Sequence, residues 1–128
     1  MNVVDSSGWL EYFADGPNAG FFAPAIHDFD RLLVPAVSMF EVFKKMKQER
    51  GEEVALEAVA QMRRGKLIAL DASLAVAAAE TSLEQKLPMA DSIILATARA
   101  NNATLWTQDD DFEGMDGVKY IARKKAAK

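Results

Sequence analysis

At 128 residues, half of them apolar, the chain has the length of one domain and enough nonpolar surface to fold without covalent staples. It contains no cysteine, which excludes disulfides, thiolate metal sites and cysteine nucleophiles. A net charge of -4 argues against a general nucleic-acid binder, unless several of the 19 acids gather at a cation site and leave the basic residues free to meet a polyanion.

The opening Met1-Asn2-Val3-Val4-Asp5 lacks the basic segment and long apolar core of a signal peptide, so a soluble cytoplasmic protein without membrane association is expected. Asn2-Val3-Val4 has the form of a buried strand that ends on an acid. Ser6 or Ser7 can cap a helix through Trp9, Leu10 and Phe13, which Asp15-Gly16-Pro17 breaks. A short helical piece covers Ala19 to His27. Leu32-Leu33-Val34 reads as a second strand, and Pro35 suits the first turn of a helix that carries Glu41 and runs to about Arg50. Beyond Gly51 the spacing of Ala55, Val59 and Met62 predicts a helix from Glu52 to Arg64.

Leu67-Ile68-Ala69-Leu70 is a third apolar strand. Asp71 then caps an alanine-rich helix to about Gln85, and another helix spans Met89 to Ala100 with Asp91 in its first turn. Thr104-Leu105-Trp106 is the fourth strand and Val118 to Ile121 the fifth. Strands alternating with helices predict an α/β fold, a central, mostly parallel five-stranded sheet flanked by helices. Residues 1–122 form this domain, and 123–128 are a basic C-terminal tail.

In an open parallel sheet the functional crevice lies outside the carboxyl ends of the strands. Asp5 stands at the end of the first strand, and Thr107-Gln108-Asp109-Asp110-Asp111-Phe112 follows the fourth. Clustered carboxylates raise one another's pKa values, and a bound cation relieves that repulsion. Asp91 alone reads as an acid complementing its helix dipole. Glu41 points away from the stripe Met39, Val42, Phe43 and Met46, so periodicity alone reads it as exposed and paired with Lys45 one turn on. The single histidine, His27, reads as structural.

Four segments together carry a resemblance: Val3-Val4-Asp5-Ser6-Ser7, a glutamate in the helix after the second strand, Leu87-Pro88-Met89-Ala90-Asp91-Ser92, and Thr107 to Phe112. In this order and on these elements they resemble the PIN domain, most nearly the VapC toxins of bacterial toxin–antitoxin pairs. The resemblance implies a single PIN-like domain and a metal-dependent endoribonuclease using Mg²⁺, with Mn²⁺ as substitute. It places Asp5, Glu41, Asp91 and Asp109 in a catalytic pocket, against the periodicity reading of Glu41. Asp111 matches a further acid and joins these four as an expected metal ligand, while Ser6 and Thr107 are expected to orient the ligands.

Asp110 falls at a variable position and is expected to face solvent. The implied partners are an RNA substrate, a cognate antitoxin and a second copy of the chain. Phe13, Phe21, Phe22, Phe40 and Phe43 are candidate contacts for the protein partners, with burial in the chain's own core as the equal alternative. Three other readings use the same acids. A haloacid-dehalogenase-type phosphatase would want a second aspartate two residues after Asp5, where the chain has Ser7. Of the two that remain, one is a PIN-like module that only binds proteins. The other is a receiver-like signalling domain, which would need Asp71 as phospho-acceptor and lacks the acid pair before its first helix.

Overall fold

The computed structural model describes residues 1–125; residues 126–128, the end of the expected basic tail, lie outside the described residues. Three-residue strands form where apolar runs are short: β1 at Asn2–Val4, β3 at Lys66–Ile68 and β5 at Val118–Tyr120. β2, Leu32–Pro35, and β4, Thr104–Thr107, are one residue longer. The helices are α1, Ser6–Phe13; α2, Ala19–His27; α3, Ala36–Arg50; α4, Glu52–Met62; α5, Ala72–Gln85; and α6, Met89–Ala100. Single 3₁₀ turns occupy Phe29–Arg31 and Asp110–Phe112.

The strand order is β3-β2-β1-β4-β5, and every pairing is parallel. The period-two alternation of the central strands divides the core between the two faces of the sheet. Val4, Leu32 and Val34 pack on one face with Trp9, Phe22, Val42 and Met62 from the first four helices. Val3, Leu33 and Leu105 pack on the other with Ile94, Leu95 and Ala98 of α6 and with Phe112. α5 rests on the outer side of α6 through Leu74, Ala78, Ile93 and Ala96.

Several expectations are corrected by this packing. Neither Ser6 nor Ser7 caps α1; Asp5 does, accepting a 2.9 Å bond from the Gly8 amide. α4 ends at Met62, and its buried stripe runs through Ala55, Ala58 and Met62, with Val59 only half-buried. β3 starts earlier than the apolar run suggests and lies at the sheet edge, so Leu67 and Leu70 are largely exposed instead of buried. The fully enclosed Phe22 belongs to the core and is removed from the candidate contact surface.

Gly8 is required by close approach. A Cβ there would lie 2.6 Å from the Phe22 ring and 2.8 Å from Val4. Only a glycine lets the first turn of α1 sit against α2 and β1, and that seating aims the Gly8 amide at Asp5.

Candidate metal and active site

The strand order reverses direction between β1 and β4, since the chain builds outward from β1 to β2 and β3 before returning to β1's other edge. Side chains leaving the carboxyl ends of these two strands therefore meet at the topological switch point. Val4 pairs with Trp106, and the Asp5 amide donates to the Trp106 carbonyl at 3.1 Å. Asp5 is thereby set beside Thr107.

Asp5 is buried, and both its oxygens are engaged. Oδ1 accepts from the Gly8 amide at 2.9 Å and the Ser7 hydroxyl at 2.9 Å. Oδ2 accepts from the Thr107 hydroxyl at 2.7 Å and from Ser7 at 3.0 Å. The Thr107 hydroxyl is oriented by the Asp109 amide, which donates to its oxygen at 2.9 Å and so directs the hydroxyl proton at Asp5. One threonine thus ties Asp5 to the Asp109 loop. Burial raises the Asp5 pKa to about 6; the bonds from Thr107, Gly8 and Ser7 oppose the rise, and the charge of Asp109 adds to it.

Glu41 lies in the second turn of α3 and enters the same hollow. It is half-buried and accepts from the Ser6 hydroxyl at 2.6 Å. The Lys45 partner that periodicity suggests is instead paired with Glu49 at 3.1 Å. Glu41 is thus directed inward because α3 packs across both α1 and α6, a nonlocal circumstance its own helix does not reveal.

Asp91 stands in the first turn of α6, half-buried. Desolvation, and then the negative neighbours Asp109, Asp5, Glu41 and Asp111, push its pKa up to about 7. Four separate acids acting on one carboxyl mean that the cluster is real in space and short of positive charge.

In the last loop, Asp109 Oδ1 accepts from the Asp111 amide at 3.0 Å and so caps the 3₁₀ turn. Asp109 is half-buried, whereas Asp110 and Asp111 are exposed. One carboxylate oxygen each from Asp91, Asp109 and Asp111 lie within 4.8 Å of one another. This tight grouping excludes Asp5, which sits deeper and is held by its own donors.

A hollow of about 310 Å³ is lined by Asp5, Ser6, Glu41, Asp91 and Asp109, with Ser7, Leu10 and Lys45 completing its wall. The site thus gathers acids from β1, α3, α6 and the loop after β4. The donor set consists of carboxylate oxygens, without histidine or cysteine, and suits a hard divalent cation such as Mg²⁺ or Mn²⁺ better than zinc.

Sequence reading missed two groups. Ser7, expected only as a possible cap, is a double donor to Asp5. Gln108, buried between the named Thr107 and Asp109, accepts from Asn18 Nδ2 at 3.0 Å and donates to the Ser7 carbonyl at 3.4 Å. Asn18 also donates to the Ala122 carbonyl at 3.0 Å, so this buried pair pins the α1–α2 connection to the loop that carries the acids. A glutamine between polar neighbours offers no periodic signal of burial. His27 meets the Tyr12 hydroxyl at 2.8 Å, remote from the acids lining the hollow.

The PIN domain family profile matches residues 3–118. No curated protein matches the sequence significantly. Among solved structures, a chain of a toxin–antitoxin complex from Klebsiella pneumoniae is similar with a TM-score of 0.79 at 23% identity, covering 93% of this chain and 96% of that one. VapC20 of Mycobacterium tuberculosis, described as a toxin cleaving the sarcin–ricin loop, gives 0.73 at 18% identity over 88% of this chain and 92% of its own. A chain of VapBC2 from Rickettsia felis, bound to a promoter DNA fragment, gives 0.71 at 16% identity, with 94% and 97% covered. These likenesses are of fold, and with the profile match spanning nearly the whole sequence and the acids converging at the sheet's switch point, the chain belongs to the PIN domain family.

Proposed function

We propose that this protein is a metal-dependent endoribonuclease acting as the toxin of a toxin–antitoxin pair. The observation that carries the reading is the convergence of Asp5, Glu41, Asp91 and Asp109 on one hollow, with Asp91, Asp109 and Asp111 offering oxygens within 4.8 Å of one another. Burial and then four neighbouring carboxylates raise the Asp91 pKa, and a bound cation would relieve that repulsion. Membership of the PIN family and likeness to chains from toxin–antitoxin complexes support the same conclusion.

Asp91, Asp109 and Asp111 would hold a Mg²⁺ or Mn²⁺ ion, with Asp5 and Glu41 facing it across the hollow. When bound, such an ion supplies charge neutralisation and acidifies water for attack on a phosphodiester. The protein's own work is positional. Thr107, Ser7 and the Gly8 amide fix Asp5 in one orientation, and the Ser6 hydroxyl orients Glu41. Burial of the cluster against α1 and α6 keeps the carboxylates close in spite of their repulsion.

The substrate is RNA, and the protein partners are a cognate antitoxin and a second copy of the chain. Of the candidate contact residues, Phe13, Phe21 and Phe43 pack partly against the main core, and Phe40 alone has most of its ring in solvent. No helix among the described residues is long and apolar enough to cross a membrane; the reading places the protein in the cytoplasm with its RNA.

The test is expression of the chain alone, beside Asp5→Asn, scoring growth arrest and Mg²⁺-dependent cleavage of total RNA. Arrest and cleavage by the wild type, both lost in the variant, are expected. Neither effect in the wild type would favour a PIN-like module that only binds proteins.

A further inference from the structure

Phe40 is 64% exposed, and of the chain's seven phenylalanines it alone stands mostly in solvent. An aromatic ring left in water on the helix that supplies Glu41 calls for a physical account. Phe40, Lys44 and Gln48 form one stripe of α3 at helical spacing, directly beside the stripe of Glu41 and Lys45. Lys44 Nζ lies 5.7 Å from the Phe40 ring centroid. Lys44 makes no ion pair among the described residues. These side chains line a hollow of about 190 Å³.

That hollow adjoins the acid site. Glu41 and Lys45 belong to the walls of both. Lys45 also lines a third hollow, of about 370 Å³, whose wall carries Arg50 and Arg123 together with Glu11 and Glu49. A cationic and aromatic stretch therefore borders the acidic one.

We propose that Phe40, with Lys44, is a subsite for one unpaired nucleotide next to the scissile phosphate, the base stacking on the ring and its phosphate meeting the lysine. The proposal rests on the ribonuclease reading and deepens it. A cationic groove with an aromatic platform is how proteins hold single-stranded nucleic acid without base-specific contacts, since every base has a π-face. An apolar peptide side chain would meet one ring surrounded by three charged groups, Glu41, Lys44 and Lys45, and would leave them poorly solvated. A nucleotide satisfies both the ring and Lys44, the lysine of the two that has no carboxylate partner among the described residues. The acid cluster alone would repel RNA, and the flanking cations offset that repulsion where the neighbouring phosphates lie.

The test compares two substrates. On a short single-stranded RNA, Phe40→Ala is expected to raise KM by about tenfold with kcat retained, because the lost contact is the same in ground and transition states. Phe40→Trp should restore the wild-type KM. Lys44→Gln should reduce the slope of log affinity against log salt by about 0.7. With bis(p-nitrophenyl) phosphate, which has no flanking nucleotide to stack, turnover by Phe40→Ala and Lys44→Gln should equal the wild type.

An unchanged KM for RNA in Phe40→Ala overturns the proposal, as does an equal loss on both substrates, which would make the ring a structural support. A variant that escapes neutralisation by the antitoxin while keeping its KM for RNA assigns the ring to a protein partner and also overturns it. If the wild type cleaves neither substrate, the ribonuclease reading falls by itself. The subsite is then judged by equilibrium binding of the same RNA in Ca²⁺, where equal affinity of wild type and Phe40→Ala refutes it.

Discussion

Asp5→Asn should stabilise the metal-free protein at neutral pH while removing its activity. Asp5 is buried, and its pKa rises from 3.8 to about 6 on folding. A folded-state value above the unfolded one means that the native protein binds the extra proton between these limits. The contribution is therefore fully present below pH 3.8 and is lost as pH climbs through about 6. A rise of about two units corresponds to about 3 kcal/mol lost by neutral pH, and roughly half of that is already lost near pH 5.

Asparagine resembles the protonated carboxyl and is an equally good helix cap. Its amide can accept from Gly8 and Ser7 through one oxygen, but it turns an NH₂ toward the Thr107 hydroxyl, at a cost of about 1 kcal/mol if that bond is not remade. The net gain near pH 7.5 is then about 2 kcal/mol, a rise in melting temperature of roughly 5–10 °C. Below pH 4 the gain should vanish and the lost Thr107 bond should leave the variant slightly less stable than the wild type, by at most about 1 kcal/mol. Thermal melts of both proteins in EDTA across this range measure the difference directly. Added Mg²⁺ should narrow the gap by stabilising the wild type. A variant that melts below wild type near neutral pH, or a gap that does not change with pH, would refute the reasoning.

Thr107→Val keeps the shape of a buried side chain but removes the closest donor to Asp5, so cleavage should fall by about 10–100-fold. Because that bond favours the ionised carboxylate, the acid limb of the pH–rate profile should also move to higher pH. Glu41→Gln can still accept from Ser6, so folding, followed by circular dichroism, should be unaffected while RNA cleavage drops by about a hundredfold or more. Gly8→Ala should lower stability by about 1–3 kcal/mol in urea titrations, since the new Cβ meets the Phe22 ring at 2.6 Å and Val4 at 2.8 Å. Asp91→Asn should abolish the Mg²⁺-induced rise in melting temperature that the wild type shows near neutral pH, while Asp110→Asn, altering an exposed carboxylate outside the grouped oxygens, should leave it in place.

Elements whose signal is local were legible from the chain alone. β1 is an apolar run stopped by an acid, α2 and α6 appear within their expected bounds, and Asp71 caps α5 by accepting from the Leu74 amide at 2.9 Å. The parallel sheet follows from alternation of strands and helices, and with it the expectation that acids after strand ends share an edge. Asp5 and Asp109 were visible in this way because position at a strand end is a property of a few neighbouring residues. Glu41 was visible only through family resemblance. Its helical phase, and a lysine one turn on, describe a solvated pair as well as they describe a site residue.

What the sequence by itself determined is the set of elements and the chemical character of the site, because burial periodicity, capping and residue type are written within a few residues of each position. The tertiary structure alone decided which acids lie close enough to act together. The reversal of strand order between β1 and β4 brings Asp5 beside Thr107, the packing of α3 across α1 and α6 turns Glu41 inward, and the 3₁₀ turn closes Asp111 onto Asp91 and Asp109. The same packing made Ser7 a donor, exposed β3 at an edge, enclosed Phe22 and left Phe40 in solvent. Each of these depends on which elements become neighbours, a choice made by the summed burial of the whole core and not by any one segment.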